Sequence, residues 1–174
     1  MPADRLVAQL NAQIGNELAS HNQYLACAVY FDALTLPQMA AFFYRQAEEE
    51  REHALMMVQY LLDTDAAVEI PAIPAAVCSF DDVVAPVALA LEQEKRVTEQ
   101  INDLYRIARE EVDFASEQFL SWFIKEQVEE VATMGDLLAV VTRNRGDLEQ
   151  IEEYVAREAG TEDTDPTAPA VAGA

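Results

Sequence analysis

The chain has 174 residues, 51% of them hydrophobic, and carries 32 acidic against 11 basic side chains for a formal charge of −21. Length and apolar content suffice for one domain with a sizeable core, while the charge argues against nucleic acid and anionic membrane as partners and draws cations to the surface. No apolar run approaches the ~20 residues of a membrane span, and Met-Pro-Ala-Asp-Arg starts no signal peptide.

From about residue 4 to Phe31 the pattern is helical, with Leu10, Ile14, Glu17, Leu18, His21, Leu25 and Ala28 on one face. Leu34-Thr35-Leu36-Pro37 breaks it, and Pro37 falls in the first turn of a second helix that runs to about Thr64. There Phe43, Ala47, Glu50, Ala54, Met57 and Leu61 alternate steps of four and three, the spacing of a buried stripe. Residues 65–80 hold Pro71 and Pro74 and lack helical periodicity. A helix of about 28 residues is ~42 Å long, and about 16 extended residues reach ~50 Å, so this connection can return along the bundle and set helix three parallel to helix two.

Asp81 or Asp82 caps helix three, whose stripe reads Val87, Leu91, Glu94, Thr98, Ile101, Tyr105 and Ala108. Asp113 caps helix four, with Phe119, Phe123, Gln127, Glu130, Met134, Leu137 and Val141. Gly146 ends that helix, Asp147 caps a short fifth one from Leu148 to about Glu158, and Gly160 stops it. The expected organisation is one all-α domain over 1–160 and a disordered, Pro/Ala-rich tail over 161–174. Cys27 and Cys78 have neither Cys-x-x-Cys nor zinc-ligand spacing and are expected as free thiols in a reducing, cytoplasmic setting.

Each long helix interrupts its apolar stripe near its midpoint: Glu17, Glu50 with His53, Glu94, and Gln127 with Glu130. At equal height these groups meet in the bundle centre. Buried carboxylates are costly unless paired or coordinated, so four acids, an imidazole and an amide need about two cations to remain ionised. Hard oxygen donors with a single nitrogen suit iron or manganese better than structural zinc. Di-iron bundles draw Glu-x-x-His from two helices; helix four departs from that pattern with Gln127-x-x-Glu130.

The set Glu17, Tyr24, Glu49-Glu50-x-x-His53, Glu94, Glu126-Gln127 and Glu129-Glu130 resembles the prokaryotic non-haem ferritins of actinobacterial type over roughly residues 5–158. The resemblance implies a ferritin-like four-helix bundle with a long crossover between helices two and three and a short fifth helix. It further implies a cytoplasmic homo-oligomeric cage of 24 subunits that oxidises ferrous iron with O₂ or H₂O₂ and stores the ferric mineral. Glu17, Glu50 and His53 then hold the first iron, Glu50 bridges, and Glu94 and Glu130 with Gln127 hold the second. Tyr24 hydrogen-bonds a ligand or donates an electron, or is a packed tyrosine. Glu49, Glu126 and Glu129 each precede an inner ligand by one residue and so point about 100° away. They are candidates for a third iron, with a solvated acidic face as the alternative. His21 and Trp122 read as core, and Met56 and Met57 as packing.

Glu110, Glu111, Asp113 and Glu117 lie where the family lines a three-fold channel, or simply favour a helix N-terminus. Bacterioferritin is set aside, because Arg51 follows Glu50 where a haem-binding methionine would stand and helix four lacks its histidine; no haem is expected. Rubrerythrin is set aside for want of a Cys-x-x-Cys module. A non-catalytic shell subunit and a di-iron oxygenase with an organic substrate remain as rivals.

Overall fold

The computed structural model describes residues 2–159 and 165–174. Among these residues the elements are α1 (Asp4–Ala33), α2 (Pro37–Asp63), α3 (Val84–Glu110), α4 (Phe114–Arg143) and α5 (Leu148–Glu158). Gly160 and residues 161–164 lie outside the described residues.

Two apolar clusters fill the bundle, one towards each end. One joins the end of α1 (Tyr24, Phe31), the start of α2 (Met39, Phe43), the start of α3 (Val87, Ala90) and the end of α4 (Met134, Val141). The other joins Leu6 and Leu10, Met57 and Leu61, Ile101 and Leu104, and Leu120 and Phe123. The starts of α2 and α3 therefore share one end of the bundle, so these helices are parallel, and α1 and α4 each run against them. The connection over 64–83 returns the chain along the bundle without regular structure.

That connection is fastened to α1 by two side-chain amides. Asn11 donates to the Ala67 carbonyl at 2.9 Å and accepts from the Glu69 amide at 2.7 Å. Gln23 repeats the pattern on Val77, donating at 2.9 Å and accepting at 2.8 Å. A backbone that cannot pair with itself thus has its polar groups satisfied at both ends. Between these clips Pro71 packs so close to Gly15 that a β-carbon there would lie 2.5 Å from its Cγ.

Helices α1, α2 and α3 end alike, with Thr35, Asp65 and Val112 at positive φ (59°, 55° and 57°). In each case the next amide reaches back five residues, as Leu36 does to Phe31, Ala66 to Leu61 and Asp113 to Ala108. This hydrogen-bonded reversal usually carries glycine; here three non-glycine residues hold it, which is why glycine spacing does not mark these ends. Asp113 and Asp147 cap α4 and α5 by accepting from the Ser116 and Gln150 amides, and Asp82 accepts from Val84 and Ala85. Helix α4 stops at Arg143, before Gly146.

The buried faces of α1 and α3 are rotated from the expected stripes. In α1 the face continues from Glu17 through Ser20, Tyr24, Cys27 and Phe31, leaving Leu25 and Val29 exposed. In α3 it passes through Ala90, Val97 and Leu104 rather than Leu91, Thr98 and Tyr105.

Residues 165–174 lie against the bundle. The Asp165 carboxylate accepts from Trp122 Nε1 at 3.2 Å and Lys125 Nζ at 3.0 Å. The Ala172 amide donates to the Leu55 carbonyl, and Val171 packs against the second cluster. Composition alone does not reveal these anchors, because they belong to α2 and α4. Removing 165–174 should change the emission of Trp122, the chain's single tryptophan. The same deletion should lower the thermal midpoint by only a few degrees, since burying one valine contributes roughly 1–2 kcal/mol. Unchanged emission would mean that the segment is not docked in solution.

Candidate metal centre

The gap between the two apolar clusters is a polar layer. Glu17 lies between Ile14 and Tyr24, Glu50 between Ala47 and Ala54, Glu94 between Ala90 and Val97, and Gln127 with Glu130 between Phe123 and Met134. All five, and His53, are at most 5% exposed. The mid-height alignment expected from the sequence is therefore realised in space.

Ligand-type atoms of Glu17, Glu50 and His53 all lie within 4.8 Å of one another. Glu50 and His53, one turn apart on α2, bring Oε2 to 3.9 Å from Nδ1. Glu17 Oε2, Glu50 Oε2, Glu94 Oε2 and His53 Nε2 are buried without a hydrogen-bond partner in the protein. Unpaired oxygens with one imidazole nitrogen form a donor set for a hard cation, and leaving them bare would cost stability. Tyr24, fully buried, donates its hydroxyl to Glu94 Oε1. Gln127 is oriented with its amide oxygen accepting from Thr98 Oγ1 at 3.0 Å and a hydrogen bond from its side chain reaching Glu94. In this arrangement the Gln127 amide links Thr98 to Glu94.

A second group on the rim consists of Glu49, His53 and Glu126, again within 4.8 Å. Glu129, the third residue expected there, is exposed and sits 3.6 Å from Lys125. The His53 imidazole reaches the boundary between the buried layer and an open cavity of about 1260 Å³ that Glu49, His53, Glu126, Glu129 and Asp165 help to line. Trp122 and Phe123 set their rings edge-on to the imidazole at 5.6 and 5.7 Å.

The sequence motif that describes a ferritin-like domain in the ferritin family model matches residues 7–144. The chain belongs to the ferritin family. As a ferritin it is an iron-storage protein. It is 51% identical to ferritin BfrB of Mycolicibacterium smegmatis over 166 residues, covering 95% of this chain and 92% of that one. It is 46% identical to ferritin BfrB of Mycobacterium tuberculosis over 172 residues, covering 99% and 95%. Among solved structures, an open pore ferritin from Archaeoglobus fulgidus superposes with a TM-score of 0.87 at 29% identity, covering 94% of this chain and all of that one.

In this ferritin the metal-free layer is electrostatically strained. Burial, then the Glu94 and Glu17 charges, push the Glu50 carboxyl well above its ordinary range, and burial raises Glu17 as well. Burial and the neighbouring Glu49 and Glu94 raise Glu130 well above the usual value as well. Glu94 rises to about 7, chiefly by burial, with the Tyr24 hydrogen bond opposing. Burial lowers His53 to about 4, so its imidazole is neutral at physiological pH and free to bind a cation.

Three supporting side chains escaped the sequence reading. Gln13 donates to Glu17 Oε1 at 2.9 Å, Gln46 sits between Glu49 and Glu130, and Thr98 bridges Glu94's carbonyl and Gln127. Gln13 and Gln46 stand four residues before Glu17 and Glu50, so an i,i+4 search for amides on the polar stripe would have found both. His21 holds its Nδ1 2.6 Å from the Ala47 carbonyl, the satisfied position expected of it. At the α3–α4 turn Glu110 pairs with Arg5, Glu117 lies 3.9 Å from Arg109, and Asp113 serves as the cap. Cys27 is buried and Cys78 exposed, unpaired. No helix among the described residues is long and apolar enough to cross a membrane.

Proposed function

We propose that this ferritin oxidises ferrous iron at a dinuclear centre inside each subunit and passes the ferric product to the interior of a 24-subunit homo-oligomeric cage in the cytoplasm. Glu17, Glu50 and His53 hold the first ferrous ion, Glu50 bridges, and Glu94 and Glu130 hold the second, with Gln127 and Tyr24 positioning Glu94. The observation that carries this reading is the buried layer of orphaned carboxylate oxygens around one neutral imidazole.

Charge balance supports the chemistry. Four carboxylates match the charge of two ferrous ions, so loading the centre relieves the repulsion that raises their pKa values. Two adjacent ferrous ions release two electrons together, reducing H₂O₂ with two protons to two waters, or O₂ with two protons to H₂O₂. The ferric pair then carries two charges more than the four carboxylates neutralise. That excess favours departure towards Glu49, Glu126 and Glu129, the last two on the cavity side of α4, where Glu49, His53 and Glu126 offer a third iron site. The centre is one of transit. Haem has no part in it, as Arg51 follows Glu50 and hydrogen-bonds Glu48 at 2.6 Å.

The decisive test adds two ferrous ions per subunit in air to the metal-free assembly. The expected result is rapid ferric absorbance with oxygen uptake, in a particle of roughly twenty-four times the 19.3 kDa chain mass. Slow oxidation at the rate of free ferrous iron would leave a shell that only nucleates mineral.

A further inference from the structure

We infer that Gln46 is a cation ligand between the dinuclear centre and its rim, binding a divalent ion in transit through its amide oxygen. Gln46 is only 7% exposed and lies one turn before Glu49 and Glu50 on α2. Its Nε2 donates to Glu49 Oε2 at 2.5 Å and faces Glu130 Oε1 on α4 at 3.5 Å. One amide therefore touches a carboxylate of the proposed dinuclear centre and a carboxylate of the rim group. The structure turns the amide nitrogen towards both carboxyl groups. The consequence is that Oε1 is buried without a partner.

A buried amide oxygen left bare costs about 1–3 kcal/mol, and retaining it makes physical sense where a cation satisfies it. When an ion occupies the space between Glu49 and Glu130, those carboxylates need no donated hydrogen. A half-turn of the amide then exchanges nitrogen for oxygen and adds a hard, neutral ligand. The neutral oxygen lets an ion pass from Glu130 to Glu49 without an additional negative charge to trap it. Gln46 in this way has two states, a donor that holds the carboxylates apart when the passage is vacant and a ligand when an ion is within it.

The inference rests on the reading that Glu130 belongs to a dinuclear centre, and Zn²⁺ separates the two. Crystals of the full-length assembly would be soaked in Zn²⁺ and metal positions taken from anomalous scattering, with binding measured by calorimetry on the metal-free protein. The expected result is Zn²⁺ at Glu17, Glu50 and His53, and further Zn²⁺ between Glu130 and Glu49 with the Gln46 oxygen at about 2.0–2.2 Å. In Gln46→Leu the second position should weaken at least tenfold, while affinity at Glu17, Glu50 and His53 stays within about twofold. Gln46→Met, which keeps the length without the amide, gives the same readout if the leucine variant fails to assemble. Equal affinity for that second ion in the variant, or an amide still hydrogen-bonded to Glu49 with the ion present, overturns the inference alone. No Zn²⁺ at Glu17, Glu50 and His53 in the native protein overturns the dinuclear centre and the inference with it.

Discussion

His53→Ala should slow the initial oxidation of ferrous iron by on the order of a hundredfold or more, with the native mass of the assembly unchanged. Among the described residues His53 is the one imidazole in the buried layer, and it belongs to both candidate metal groups. Loss of a partner that merely orients a ligand typically costs about 10–100-fold, so loss of the ligand itself sets that range as a floor. The imidazole is 2% exposed and touches Trp122 and Phe123 within its own subunit, so surfaces available for assembly are untouched. Glu94→Ala should have a comparable effect and also leave the buried Tyr24 hydroxyl without its acceptor. Stopped-flow ferric absorbance with native mass spectrometry reads both outcomes. Undiminished rates in either variant would place the chemistry elsewhere.

Glu130→Leu should separate stability from activity. It should raise the thermal midpoint of the chelator-treated protein and yet cripple oxidation. A carboxyl whose folded pKa exceeds its unfolded one contributes full stability below the unfolded value and loses it as pH rises through the folded value. Glu94 spans the window from 4.5 to about 7, and Glu50 and Glu130 are raised in the same direction. His53 acts oppositely, since its fall from 6.5 to about 4 gives stability that is present above 6.5 and lost as acid approaches 4. The acids outnumber the imidazole, so metal-free stability should decline from pH 5 to pH 7.5.

Burial and its acidic neighbours raise the Glu130 carboxyl, so retaining its proton costs more stability the further pH climbs above the unfolded pKa. Leucine fills a similar volume and removes that term, as apolar replacements of buried charges often do. The gain in midpoint should therefore be larger at pH 7.5 than at pH 5. Gln46 keeps Glu49 as an acceptor in the variant, which limits the new polar loss. A lower midpoint at both pH values would mean that hydrogen bonds already satisfy the acid.

The helix count and the mid-height polar layer were legible from periodicity, because a carboxylate in an apolar stripe is conspicuous wherever the fold buries it, and the parallel course of α2 and α3 was legible from the length of the connection between them. Tyr24 was legible only as a family resemblance. Its role depends on Glu94 lying opposite on α3, although its seven-residue step from Glu17 keeps it on the same face of α1. Leu25, counted on the buried face, is exposed because that face runs through Glu17, Ser20, Tyr24, Cys27 and Phe31 and leaves Leu25 at its edge.

The sequence by itself determined which residues are dear to bury, and hence that Glu17, Glu50, His53, Glu94 and Glu130 break their apolar stripes at one height: desolvation cost belongs to the residue type and repeats in every helix. Only the tertiary structure decided the partners. It turned Gln127 towards Thr98 and Glu94, brought His53 beside Glu49 and Glu126 on the rim, set Gln46 between two carboxylates, and laid Asp165 against Trp122 and Lys125. Hydrogen bonds and ligand groups form between helices over a few ångströms, and that distance is fixed by how the helices pack, which no single helix specifies.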